Sequence, residues 1–160
     1  MTKTALFAVL IAGALLLPAE KVHAQAIGAV GADIGLDAER DGDLFIGANA
    51  RIGGLGFPLT LAPAVELGIG DFDYTRAEAN LLYYIGEEYT TTFTPYVGPG
   101  AALIFHGGDT DVGLNVVGGV EFRAFGPNLT PFAQARYTFQ PGVDGVGIMG
   151  GILLRFGAVQ

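Results

Sequence analysis

The stretch 112–123, V-G-L-N-V-V-G-G-V-E-F-R, most constrains what this chain can fold into. Val112, Leu114, Val116, Gly118, Val120 and Phe122 fall on one parity, and Gly113, Asn115, Val117, Gly119, Glu121 and Arg123 on the other. Side chains alternate faces along a β-strand, so this segment has one apolar face and one small or polar face. The same pattern recurs along the chain, which predicts one sheet with an apolar side and a polar side.

Eight such strands are predicted, at about 26–36, 44–53, 59–70, 75–86, 92–106, 112–123, 129–139 and 146–157. Glycine is abundant throughout and few segments keep a 3.6-residue period, so helical readings fail. Pro63, Pro95 and Pro99 fall inside predicted strands. Each removes a ladder hydrogen bond, so bulges or weakened pairing are expected there.

Residues 1–24 stand apart. Lys3, the apolar run 5–17, Pro18 and the close Val22-His23-Ala24 read as a secretory signal peptide cleaved after Ala24. The run is shorter than the roughly 20 residues a membrane helix needs. The mature chain 25–160 then fits one domain. The sequence has no Cys, so packing or a membrane must supply the stability that disulfides give many exported proteins. The formal net charge is −8, and loss of Lys3, Lys21 and Glu20 takes the mature chain to −9 with no lysine left. Such a surface does not attract nucleic acid, whose affinity depends on Lys and Arg neutralising phosphates.

Two architectures share the pattern. A soluble lipocalin-like barrel puts its apolar face inside, around a ligand; a membrane barrel puts it outside, against lipid. The polar face here carries small residues such as Gly31, Gly47, Ala62, Gly98 and Gly119, where a water-facing surface would carry Lys and Glu. Small residues suit the narrow lumen of an eight-stranded barrel. Its charges also nearly balance: Arg51, Arg76, Arg123, Arg136 and Arg155 against Asp33, Glu66, Glu78 and Glu121. A dry lumen must pair its charges in this way. Aromatic residues of the apolar face cluster near strand ends, with Phe105, Tyr137 and Phe139 by the acidic loops and Phe93, Phe122 and Phe156 by the other turns. These are the expected interfacial girdles. The favoured fold is therefore an all-β, eight-stranded antiparallel up-and-down transmembrane β-barrel.

The segments Pro95-Tyr96-Val97-Gly98-Pro99-Gly100-Ala101, Val117-Gly118-Gly119-Val120-Glu121-Phe122 and Pro131-Phe132-Ala133-Gln134-Ala135-Arg136-Tyr137 resemble the eight-stranded outer-membrane β-barrels of the OmpA-transmembrane-domain, OmpX and opacity-protein type. The resemblance implies an outer-membrane location and both termini in the periplasm. It also implies three short periplasmic turns, at 53–58, 86–91 and 124–128, and four outer loops. The partners it implies are outer-membrane lipid with lipopolysaccharide and the outer-membrane assembly machinery; a monomer is expected.

Catalysis has little to work with. There is no Ser or Cys, so the usual acyl-transfer nucleophiles are absent. His106 is the sole histidine of the mature chain. A metal site with Asp109 and Asp111 is weighed against a loop-edge histidine, and the latter is favoured. The first outer loop places Asp37, Glu39, Asp41 and Asp43 at the oxygen-donor spacing that opens a calcium loop, but Ala48 stands where the closing Glu is required. It is a candidate for weak cation binding beside the simpler reading of a solvated acidic loop. No resident metal or cofactor is expected. The function expected is a non-catalytic outer-membrane barrel with a structural, envelope or surface-interaction role. A small low-conductance pore and a soluble lipocalin-like binder are the alternatives.

Overall fold

The computed structural model describes residues 28–38, 43–53, 59–70, 74–86, 92–122, 128–140 and 144–156. Residues 1–24, expected from the sequence to be a signal peptide, and most of the three predicted short turns lie outside these. Among the described residues there are eight strands: β1 (Ala29–Asp37), β2 (Asp43–Arg51), β3 (Thr60–Ile69), β4 (Tyr74–Tyr84), β5 (Phe93–His106), β6 (Asp109–Phe122), β7 (Leu129–Phe139) and β8 (Gly145–Arg155). Each pairs antiparallel with the next, and β1 pairs with β8 from Ala29↔Arg155 to Asp37↔Gly147, which closes the barrel. Closure leaves no sheet edge along the body of the barrel.

Strand β6 begins earlier than the pattern predicts, at Asp109 rather than Val112. The expected loop 107–111 is instead a two-residue hairpin. Gly107 and Gly108 have φ of +55° and +102°, and His106 pairs directly with Asp109. Positive φ at both turn residues matches the right-handed twist of the flanking strands, and glycine adopts it without strain.

The prolines weaken the ladder without bulging it. Pairing of β2 with β3 skips from Asn49↔Ala64 to an isolated bridge at Ile52↔Leu61, across Pro63. Pairing of β4 with β5 skips from Asn80↔Gly100 to Tyr83↔Val97, across Pro99. The register is unchanged on either side of both gaps. Each proline still sits in the ladder on its other flank, as Pro63↔Ala79 and Pro99↔Val116, and Pro95 pairs with Val120.

The outward face is apolar, and the inward face carries the charged and polar side chains together with buried Phe45, Leu82, Ile104, Val117 and Leu153. Leu114 and Ile148 are exposed over 62% and 64% of their surface, whereas Glu121 and Arg136 are at 0% and 1%. The alternating burial of β6 repeats around the barrel. Folding in water would bury the opposite set, because exposed Leu, Ile and Val forfeit about 25 cal/mol per Å² of apolar surface. The soluble-barrel alternative is overturned on this ground: the only solvent that favours this arrangement is hydrocarbon. Phe105, Tyr137 and Phe139 ring one end of the outer face, and Tyr83, Phe93, Phe122 and Phe156 ring the other. Phe93 and Phe122 face each other across the ladder, and the Tyr137 and Phe139 rings meet edge-on at 4.6 Å.

The room inside is set by neighbours on adjacent strands rather than by side chains from across the barrel. A Cβ on Gly119 would stand 2.5 Å from the Tyr96 ring, its partner in register.

Lipid burial predicts a specific penalty. Val116 lies midway along the outer face of β6, between Pro99 and Tyr137. Val116→Arg should destabilise the folded barrel in lipid vesicles by about 2–4 kcal/mol in denaturant titration. The same change on a water-facing strand would move stability by no more than about 0.5 kcal/mol.

Candidate functional site: the ion-paired lumen

Inward positions of the strands alternate with lipid-facing ones, so every second residue contributes to the lumen. Call the end bearing Asp37, Asp43, Asp109 and Asp144 the acidic rim, and the end bearing Ala29, Arg51, Phe122 and Arg155 the terminal rim. The lumen charges form two clusters, one toward each rim.

Arg136 on β7 is the hub of the cluster near the acidic rim. Its Nη1 donates to Glu66 Oε1 at 2.6 Å and to Glu78 Oε2 at 3.0 Å, and its Nη2 lies 3.4 Å from Asp37 Oδ2. Arg76 joins it. Its Nε donates to Glu78 Oε2 at 3.1 Å, its Nη1 lies 3.8 Å from Asp37 Oδ2, and its Nη2 donates to Asn115 Oδ1 and Thr138 Oγ1 at 2.8 and 2.6 Å. Asn115 and Asn80 each donate an amide to Glu78, at 3.1 and 2.8 Å. The guanidinium of Arg136 stacks 5.6 Å from the Phe45 ring centroid. Five strands thus meet in one buried network. Arg suits this place because its planar fork serves several carboxylates at fixed angles.

Glu121 on β6 centres the second cluster. Arg155 Nη2 donates to its Oε2, Tyr84 donates to its Oε1 at 2.7 Å, and Arg51 Nε lies 3.5 Å from the same oxygen. Arg155 Nε also donates to Thr130 at 3.0 Å. Arg51 packs over the Phe132 and Tyr96 rings at 5.4 and 5.9 Å. Asn49 leads from this cluster inward: it accepts from Arg51 Nη1 at 3.3 Å and donates to Asp33 Oδ2.

Asp33, Arg51, Glu66, Arg76, Glu78, Glu121, Arg136 and Arg155 therefore all lie in the lumen. Arg123 lies outside the described residues. Asp37 requires a correction. The acidic run around it suggests a cation-binding loop, but it ends β1 pointing inward, is 1% exposed and pairs with Arg76 and Arg136. Two guanidinium groups already compensate its charge, so it is a lumen residue and not a loop ligand. Asp43 is half-buried at the rim as the ladder partner of Asp37, while Glu39 and Asp41 lie outside the described residues. His106 Nε2 and Asp111 Oδ2 are 2.6 Å apart at the acidic rim. Among the described residues no three His, Cys, Asp or Glu side chains converge as a metal site.

Asn49, Asn80, Asn115 and Thr138 complete the network. Their parity places them on the polar face, but a neutral amide has no visible partner until the barrel is closed.

Between the clusters lies a cavity of about 10 Å³, lined in part by Asp33, Asn49, Glu78, Asn80 and Gln134. This holds about one water.

Several solved barrels share this architecture. Neisserial surface protein A matches with a TM-score of 0.61 at 18% identity, over 83% of this chain and 98% of its own. The N-terminal β-barrel domain of Pseudomonas aeruginosa OprF matches at 0.64 and 15%, over 82% and 100%. The fold is that of the eight-stranded outer-membrane barrels. Ail, the attachment invasion locus protein of Yersinia pestis, also matches, at 0.50 and 16%, over 82% and 97%. No protein-family model and no curated protein matches the sequence.

Arg136 compensates carboxylates on three strands, so its loss should cost far more than that of a rim charge. Arg136→Ala should destabilise the barrel by about 3–5 kcal/mol in denaturant titration, because it strands buried charge. Asp109→Asn, on the exposed rim, should change stability by no more than about 0.5 kcal/mol. Adding Glu66→Gln to Arg136→Ala should restore part of the loss.

Proposed function

We propose that this protein is an integral outer-membrane barrel whose role is structural or surface-interacting, with no catalytic activity and no open pore. The observation that carries the reading is the packed, ion-paired lumen. Arg76, Arg136 and their partners span it near one rim, Arg51, Glu121 and Arg155 near the other, with a cavity of about 10 Å³ between them. A permeant hydrated ion would have to break both networks.

The absence of Ser and Cys in the sequence supports a non-catalytic role. The rim offers Asp43, Asp109, Asp111 and Asp144 to the exterior, which suits contacts with cationic groups or with cations bridging lipopolysaccharide phosphates. Two fold neighbours are named for surface and attachment roles, which this architecture can therefore carry. Outer-membrane lipid and lipopolysaccharide, with the assembly machinery that inserts such barrels, are the partners of this reading, and the barrel is a monomer.

Planar-bilayer recording tests the plugged lumen. The purified protein should insert without discrete conductance steps. Reproducible steps whose size changes in Arg136→Met would replace this reading with that of a small pore. The same preparation, incubated with outer-membrane lipids, should release no fatty acid.

A further inference from the structure

Asp33 and Glu66 are both buried, and among the described residues each keeps one carboxylate oxygen that no donor reaches. These are Asp33 Oδ1 and Glu66 Oε2. The other oxygen of each is occupied: Asn49 donates to Asp33 Oδ2, and Arg136 donates to Glu66 Oε1 at 2.6 Å. Asp33, Gly47 and Glu66 are consecutive ladder partners on β1, β2 and β3. A Cβ on Gly47 would strike Asp33 Oδ1 and come 3.2 Å from Glu66 Cγ. The two acidic side chains therefore close on each other over the position between them that has no side chain.

The charged groups around the pair are Arg51 on β2, Arg76 and Glu78 on β4, and Arg136 on β7. Among the described residues none of these arginines pairs with Asp33. Arg136 serves Glu66, Glu78 and Asp37, and Arg76 serves Glu78 and Asp37. Arg51 is committed to Glu121, Asn49 and the Ala50 carbonyl, so Asn49 stands between it and Asp33. Tyr74, also near Glu66, donates to Asp37. On β8 the register partner of Asp33 is Gly151, which brings no charge.

Two ionised carboxylates that meet in a dry lumen repel, and a site of that kind holds one proton between its two acids. One proton answers both orphan oxygens. It makes Asp33 Oδ1 a donor, gives Glu66 Oε2 something to accept, and cancels the charge that no arginine pairs with. It also needs no cavity. It belongs on Asp33, because Glu66 keeps its charge against Arg136. We propose that Asp33 is a neutral acid in the folded barrel and donates its proton to Glu66 across Gly47. The proton ties β1 to β3 over the body of β2. Its removal sets two like charges against each other at the same place, so the barrel loosens as the medium turns alkaline.

Infrared spectroscopy of the full protein at neutral pH, in a detergent without carbonyl groups, reads this proton directly. Wild type should show the C=O stretch of a protonated carboxyl. The band should shift when the side-chain carboxyl of aspartate carries carbon-13, and should be missing from Asp33→Asn. Denaturant titration supplies a second readout. The folded barrel keeps a proton that an unfolded aspartate has released by about pH 6, so stability is present at low pH and is lost as pH rises. The unfolding constant should therefore grow by up to about tenfold per pH unit between about pH 6 and 8. Histidine also titrates in that window, so the comparison is made in His106→Gln. In that background Asp33→Asn, whose amide donates to Glu66 in place of the hydroxyl, should flatten the rise. No carboxyl band in wild type, a band indifferent to the aspartate label, or a pH slope that survives Asp33→Asn overturns the proposal. The labelled wild-type spectrum decides the matter even where Asp33→Asn fails to fold.

Discussion

Hydrocarbon cannot hydrogen-bond a peptide group, and every other feature of this protein follows from that constraint. A strand in lipid must pair on both sides, so a sheet that crosses a membrane must close. Here β1 meets β8 along its full length, from Ala29 to Asp37. Closure fixes which residues share the interior, and the two-residue period then decides the rest. Residues such as Leu114, Ile148 and Ile152 meet lipid, and their alternates meet one another. The gaps opposite Pro63 and Pro99 occur where a proline has no N–H to give, and neither shifts the register.

Closing eight strands leaves a lumen too narrow for bulk water, so its charges must find partners among themselves. Glycine beside a large neighbour is one solution, as where Tyr96 covers Gly119. Multivalent arginine is the other. Arg136 reaches carboxylates that lie 70, 58 and 99 residues away in sequence, on β3, β4 and β1. A network of this kind holds the closed form together beside buried apolar side chains such as Phe45, Ile104 and Leu82. In the proposed function, stability and lack of conductance are thus two readings of one arrangement.

Much of this was legible in the sequence. Parity alone separates lipid-facing from lumen-facing residues in all the strands, because a strand's period is fixed by its backbone. The balance of Arg against Asp and Glu on one parity pointed to a dry interior. Asp37 was misread because the run D-A-E-R-D-G-D looks like a solvated loop, although Asp37 lies four residues after Asp33 and shares its parity. The start of β6 was hidden for a similar reason: Asp109 and Asp111 read as loop residues, yet a turn of two glycines lets the strand begin at once. The pairing itself was not legible. Nothing in the sequence shows that Asn49 stands between Asp33 and Arg51, since that depends on the shear of a closed barrel. The partners of the neutral amides were not legible either, because only their charged neighbours across the lumen give them a role.

The central claim is that the apolar face meets lipid and the charged face meets itself. Native tryptophan is absent, so single tryptophans report without background. Phe105→Trp, Phe122→Trp and Phe139→Trp place one on the outer face, while Tyr96→Trp and Phe132→Trp place one in the lumen. In vesicles of lipids with brominated acyl chains, fluorescence should be quenched strongly at 105, 122 and 139 and retained at 96 and 132. Quenching at the lumen positions, or none at the outer ones, would contradict the account.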